Sequence, residues 1–171
     1  EIGRPVNVCD PFCGVGPAIA HLLQQNDLIG ELLVNDLNPD CIPFLFQNLK
    51  ILRNQNPNFI ENDLVEPIPG VFVGCMDALQ IPNRTEQCGR WDALLVNLPH
   101  QTLNLLPALL PLLSPEGPMR ICGWTIIPES DVNNLSNNLS RIVDCSVEDI
   151  EVRVRKQFNA TDILAAFVIR R

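Results

Sequence analysis

No stretch of this sequence approaches the run of about 18 apolar residues that a membrane-spanning helix needs, so no span is expected. Nor does a basic segment precede an apolar one at the start, so no secretory signal is visible. Positive charge is scarce: 12 Lys and Arg stand against 20 Asp and Glu, for a net charge of −8. Nucleic-acid binding takes most of its affinity from phosphate neutralisation, so this chain is not expected to grip RNA strongly unaided. A basic surface on a further domain would lift that restriction. Paired cysteines are missing too. Cys9, Cys13, Cys41, Cys75, Cys88, Cys122 and Cys145 are scattered, odd in number and free of any CxxC pair. Such a set argues for a reducing compartment, and against a disulfide framework or a metal site. A cytoplasmic protein is expected, with mitochondrial or nuclear pools compatible. There is no internal repeat and no second-domain boundary, and 171 residues suit one domain spanning 1–171. The chain starts at Glu1 without a methionine and enters a strand almost at once, which reads as a piece of a longer protein.

What is present is an alternation of apolar runs with longer amphipathic stretches, the pattern of a parallel α/β sheet. Strands are predicted at Val6–Asp10, Leu32–Asp36, Val71–Cys75, Trp91–Asn97 and Met119–Ile126. Two closing runs, Cys145–Arg155 and Ile163–Ile169, predict a terminal antiparallel hairpin, making seven strands. Pro17 suits the first position of a helix running to about Asn26. Asn38 and Pro39 read as N-cap and first residue of a second helix, with Cys41, Leu45, Leu49 and Leu52 facing the sheet. Leu103–Leu113 reads as a helix broken by Pro107 and Pro111, and Val132–Ile142 as an amphipathic helix. The Asn- and Pro-rich stretch from Asn54 to Gly70 reads as a long loop.

Chemistry concentrates where strands end. The turn Asp10-Pro11-Phe12-Cys13-Gly14-Val15-Gly16 follows the first strand and opens a helix, so its backbone can approach a ligand closely. The third glycine of the dinucleotide fingerprint is absent, and Asp10 would repel a pyrophosphate but could hold an ammonium group. A cationic amino-acid cofactor is favoured over NAD. Asp36, followed by Leu37 and Asn38, ends the second strand and can accept bonds from both ribose hydroxyls of a nucleoside. Asp77 after the third strand could bind an exocyclic amine, with Met76 against the base and Ala78 beside it. Asn97 closes the fourth strand, where an amide that both donates and accepts can read a purine edge.

Four stretches resemble the class I S-adenosylmethionine-dependent methyltransferases, closest to the archaeal and eukaryotic tRNA guanine-37 N1-methyltransferase family. They are Asp10 to Pro17, Asn35-Asp36-Leu37-Asn38-Pro39, Asn97-Leu98-Pro99, and Val154 to Ile169 with Lys156 and Phe158. The resemblance implies a Rossmann-like fold, S-adenosylmethionine as cofactor, and tRNA as partner, gripped with help from an N-terminal domain this chain lacks. It implies that Asn97 borders the methyl group and orients the target guanine, with Leu98 and Pro99 shaping an apolar wall. His100, where the family has a small or basic residue, could serve as a base beside Asn97 or equally be a solvated residue at a helix start. The family's upstream base glutamate and positioning arginine are absent or reduced to Glu1 and Arg4, and neither role is carried onto those residues. Arg141, Arg153, Arg155, Lys156, Arg170 and Arg171 gather positive charge late in the chain; Arg153 and Arg155 on one strand face could touch RNA phosphates or simply be solvated. The alternatives are the wybutosine-pathway aminocarboxypropyl transferase, a protein or small-molecule methyltransferase, and an inactive cofactor-binding module.

Overall fold

The computed structural model describes residues 5–25, 29–56 and 60–171. Glu1, Arg4 and the predicted helix end at Asn26 lie outside them. Eight strands form one sheet: β1 (Val6–Asp10), β2 (Ile29–Asn35), β3 (Leu64–Ile68), β4 (Val71–Gly74), β5 (Ala93–Val96), β6 (Arg120–Pro128), β7 (Ile150–Gln157) and β8 (Asp162–Arg170). Their spatial order is β3-β4-β2-β1-β5-β6-β8-β7. The five strands β4, β2, β1, β5 and β6 are mutually parallel, whereas β3, β7 and β8 pair antiparallel.

Strand residues alternate between two apolar layers, as a two-sided sheet requires. Cys9 and Leu33 face one core with Leu94, Leu106 and Leu139, while Val8 and Val34 face another with Ile19, Ile42 and Leu45. The helices α1 (Pro17–Leu22) and α2 (Cys41–Asn48) serve the second layer. The helices α3 (Thr102–Leu109) and α4 (Leu135–Val143) serve the first. Pro17 opens α1 as expected, since a missing N–H costs nothing there.

Three expectations are corrected. The stretch from Asn54 to Gly70 is not all loop: Leu64–Ile68 is β3, an edge strand antiparallel to β4, so the sheet has eight strands, not seven. Pro67 inside it disguised the pattern, and an edge strand tolerates proline. The helix predicted from Pro39 starts instead at Cys41, because the Asn38 side-chain oxygen accepts the Asp40 N–H at 3.0 Å and holds a turn first. Helix α4 starts at Leu135 rather than Val132, after a 3₁₀ turn over Glu129–Asn134.

The parallel strands put every carboxyl end on one edge. Asp10, Asn35, Gly74, Val96 and Pro128 end there. The chain leaves β1 towards β2 but leaves β5 towards β6, so the loops diverge over the β1/β5 boundary and leave a crevice. Asn35 ties this edge together. Its buried amide donates to the carbonyls of Pro11 and Met76, both at 3.0 Å, and its oxygen accepts the Met76 N–H at 3.2 Å. Gly74 makes room for it, since a Cβ there would lie 2.4 Å from the Asn35 oxygen. Replacing Asn35 by Ala leaves buried backbone groups of two loops unpaired. Asn35→Ala is expected to lower unfolding free energy by about 2–4 kcal/mol, read from the urea midpoint at unchanged slope.

Candidate cofactor and active site

The loop after β1 is built by backbone bonds onto the β2 edge. Cys13 N–H donates to Asn35 O at 2.9 Å, and Gly16 N–H closes back on Cys13 O at 2.8 Å. Gly14 N–H donates to Asp36 Oδ2 at 2.8 Å. Gly16 has φ of 79°, and a Cβ there would sit 2.6 Å from Leu45 Cδ1, so only glycine lets the loop lie flat on α2. Gly14 has φ of 54° but a Cβ on it would meet nothing within 4 Å, so this part of the loop faces open space. Val15 is exposed and its carbonyl accepts the Asn48 amide at 2.9 Å. Phe12 is half-buried against the first core layer, and Cys13 is buried.

Asp36 stands next to this opening. Its Oδ1 accepts Asn38 N–H at 2.9 Å while Oδ2 takes the Gly14 N–H. Each carboxylate oxygen has a second lone pair to offer a ligand. Leu37 beside it is 68% exposed, an apolar surface at the mouth. Met76 is buried in the first core layer, 3% exposed. Ala78 is also buried. Asp77 is exposed, and its Oδ1 accepts Leu79 N–H at 3.0 Å, capping a short 3₁₀ helix.

Asp10 lies beneath the loop, 2% exposed, with Oδ1 accepting Phe12 N–H at 3.4 Å. Burial pushes its carboxyl up to about 7, the Phe12 N–H pulling down and the Asp36 charge adding to the rise. Burial likewise pushes the neighbouring Cys9 and Cys13 thiols up, so both are inert packing groups.

The turn after β5 carries Asn97, Pro99 and His100 to the same edge. Asn97 and His100 are exposed. Pro99 is half-buried, and its carbonyl accepts Ile126 N–H at 2.9 Å, fastening the turn to β6 beyond the end of β5. The His100 ring meets Phe158 edge-on, with centroids 5.4 Å apart. The loops holding Asp10, Asp36, Asp77 and Asn97 therefore share the carboxyl edge of the sheet. Two functional features were not read from the sequence. Asn35 was noticed only inside a motif, although a polar residue within an apolar strand is itself a signal for a buried hydrogen-bonding role. The His100–Phe158 contact joins residues far apart in sequence and left no local signal.

No family model matches the chain. A tRNA (guanine(37)-N(1))-methyltransferase of Paramecium tetraurelia is 39% identical over 54 residues, which are 32% of this chain and 12% of that protein. Among solved structures, M. jannaschii TYW2 in complex with AdoMet superposes with a TM-score of 0.68 at 16% identity, covering 98% of this chain and 70% of that one. Trm5b from Pyrococcus abyssi gives 0.66 at 19% identity, covering 98% and 44%. The complex of aTrm5 with tRNALeu gives 0.66 at 19%, covering 99% and 42%. The chain has the Rossmann-like fold of these methyltransferases, and the family resemblance read from its motifs is borne out. It spans less than half the length of two of these relatives and 12% of the curated one.

The buried carboxyl of Asp10 sets a pH dependence. Its folded pKa, about 7, lies above the ordinary 3.8, so the folded state holds the proton more tightly. Stability from the neutral form is complete below about pH 4 and is lost as pH rises through 7. Without ligand, the melting temperature is expected to fall between pH 5 and 8. Asp10→Asn should flatten that slope; an unchanged slope would show that Asp10 is not its source.

Proposed function

We propose, from this kinship with the tRNA guanine-37 N1-methyltransferases, that the chain is a catalytic domain that binds S-adenosylmethionine and methylates N1 of guanine 37 in tRNA. The observation that carries the reading is that the Gly14 opening, the Asp36 carboxylate bonded to it and the Asn97 turn all follow neighbouring parallel strands at one edge of the sheet.

The residues fit the cofactor. Gly14 leaves space above the loop, Leu37 offers an apolar wall for a planar base, and Asp36 has lone pairs for ribose hydroxyls. Asp77 can accept from an exocyclic amine. Asp10, raised to about 7 by burial in the ligand-free fold, gains negative charge as a cationic amino-acid end settles above the loop and draws its proton off. A diphosphate would face three carboxyl side chains here, so the dinucleotide reading is disfavoured.

When bound, the cofactor supplies an electrophilic methyl group. Transfer is an in-line displacement, so the chain's task is to hold the guanine at the right distance and angle. Asn97 is suited to that by an amide that donates to one edge atom and accepts from another. Pro99, tied to β6, keeps the turn in place. The N1 proton must leave, and His100 is the titratable side chain nearest in sequence to Asn97 in that turn. A grip on tRNA by an acidic chain needs added basic surface, which the unmatched part of its longer relatives could supply.

The likeness to TYW2 fits the second reading, transfer of an aminocarboxypropyl group from the same cofactor. Analysis of the modified nucleoside separates the two. Calorimetry with S-adenosylmethionine comes first: binding is expected, and its absence would remove every methyltransferase reading. Asp36→Ala should weaken that binding about tenfold or more. Asn97→Ala should lower kcat about 100-fold with the cofactor Kd little changed. Loss of cofactor binding in Asn97→Ala would instead assign that residue to the cofactor pocket.

A further inference from the structure

Phe158 is a large apolar side chain that the fold goes out of its way to expose. It is 45% exposed at the start of the β7–β8 turn. Because β8 runs antiparallel to β6, with Asp162 opposite Pro128, this turn returns to the edge that carries the crevice. The turn is held by backbone and side-chain hydrogen bonds. Phe158 N–H donates to Asp162 O at 2.8 Å, and Asn159 Oδ1 accepts the N–H groups of Thr161 and Asp162 at 2.9 and 2.8 Å. Glu129 N–H donates to Thr161 O at 2.9 Å, fastening the turn to the end of β6. With the turn already fixed by hydrogen bonds, its exposed ring is free for another use.

The ring points to one. Phe158 meets His100 edge-on, three residues past Asn97. Just before it on β7 come Arg155 and Lys156, which make no ion pair among the described residues. Arg153 and Arg170, farther from the crevice, are both held by Glu151. In a chain of net charge −8, two cations without an ion-pair partner among the described residues, Lys156 and an Arg155 whose guanidinium lies 5.7 Å from the Trp124 ring centroid, sit beside an exposed aromatic and are a conspicuous local exception. An unstacked base within a polynucleotide needs this pairing: a flat apolar face for the ring and cations for the adjoining phosphates.

We infer that Phe158, braced by His100, is the wall on which the target base stacks outside its helix, with Arg155 and Lys156 meeting the flanking phosphates. The inference rests on the functional reading above and names how the nucleic-acid substrate is held. It makes Phe158 a positioning residue for the base and leaves the cofactor pocket untouched.

The test is kinetic, in the natural full-length protein with tRNA. Phe158→Ala is expected to lower kcat/KM about 10- to 100-fold with the S-adenosylmethionine Kd and melting temperature unchanged. Phe158→Trp should retain most of the activity, whereas Phe158→Leu should not, because leucine fills space but does not stack. Lys156→Ala should weaken tRNA binding and reduce its salt dependence. Equal activity of the Leu and wild-type proteins, or an unchanged kcat/KM in Phe158→Ala, would overturn this inference alone. Wild-type protein that binds no S-adenosylmethionine or modifies no tRNA would overturn the functional reading and this inference with it.

Discussion

The carboxyl edge of a parallel sheet is where backbone pairing stops, and there the strand ends need another partner. Here that partner is the side chain of Asn35. One buried amide answers Pro11 O, Met76 O and Met76 N–H, joining the loop after β1 to the loop after β4 across the end of β2. Only an amide can do this, because the three groups require both donors and an acceptor at one point. A carboxylate would lack the donors, and an aliphatic side chain would leave the peptide groups buried and unpaired. The crevice exists because these loops are tied down on one side and diverge on the other.

Built on that tie, the crevice is acidic and layered. Asp10 sits below the loop, out of water and close to neutral in its preferred state; Asp36 lies at the surface, stabilised by two backbone N–H groups. Two similar residues thus meet different surroundings: one is buried beside a single backbone N–H, and the other accepts two. The far wall is different in kind. Around Asn97, His100 and Phe158 the groups are amide, imidazole and aromatic, with cations close by on β7. That division is the one the proposed transfer, from a cationic nucleoside to a planar base, would require.

Much of this was legible in the sequence. The glycine turn, the acid just after β2, and the asparagine-proline turn after β5 are local devices, each set by the geometry of a few consecutive residues. Pro17 marked a helix start for the same reason. The edge strand Leu64–Ile68 was not legible, because Pro67 and a neighbouring run of Asn and Pro broke its alternation, and only pairing with β4 makes it a strand. That Met76 is buried in the first core layer was not legible from its place after a strand. A single position after a strand does not say which way a side chain turns.

The sequence by itself determined the class of fold, the order of the functional loops and the identity of the groups they carry. Apolar periodicity and turn chemistry are written in neighbouring residues, and neighbours are what a sequence displays. The tertiary structure alone decided which of those groups are buried, which are exposed, and which meet. Asp10 became a carboxyl with a raised pKa because a loop folded over it. Phe158 came to rest on His100 because antiparallel pairing with β6 returned the hairpin to the crevice edge. Both are consequences of burial and of long-range register, which arise only when distant segments pack together.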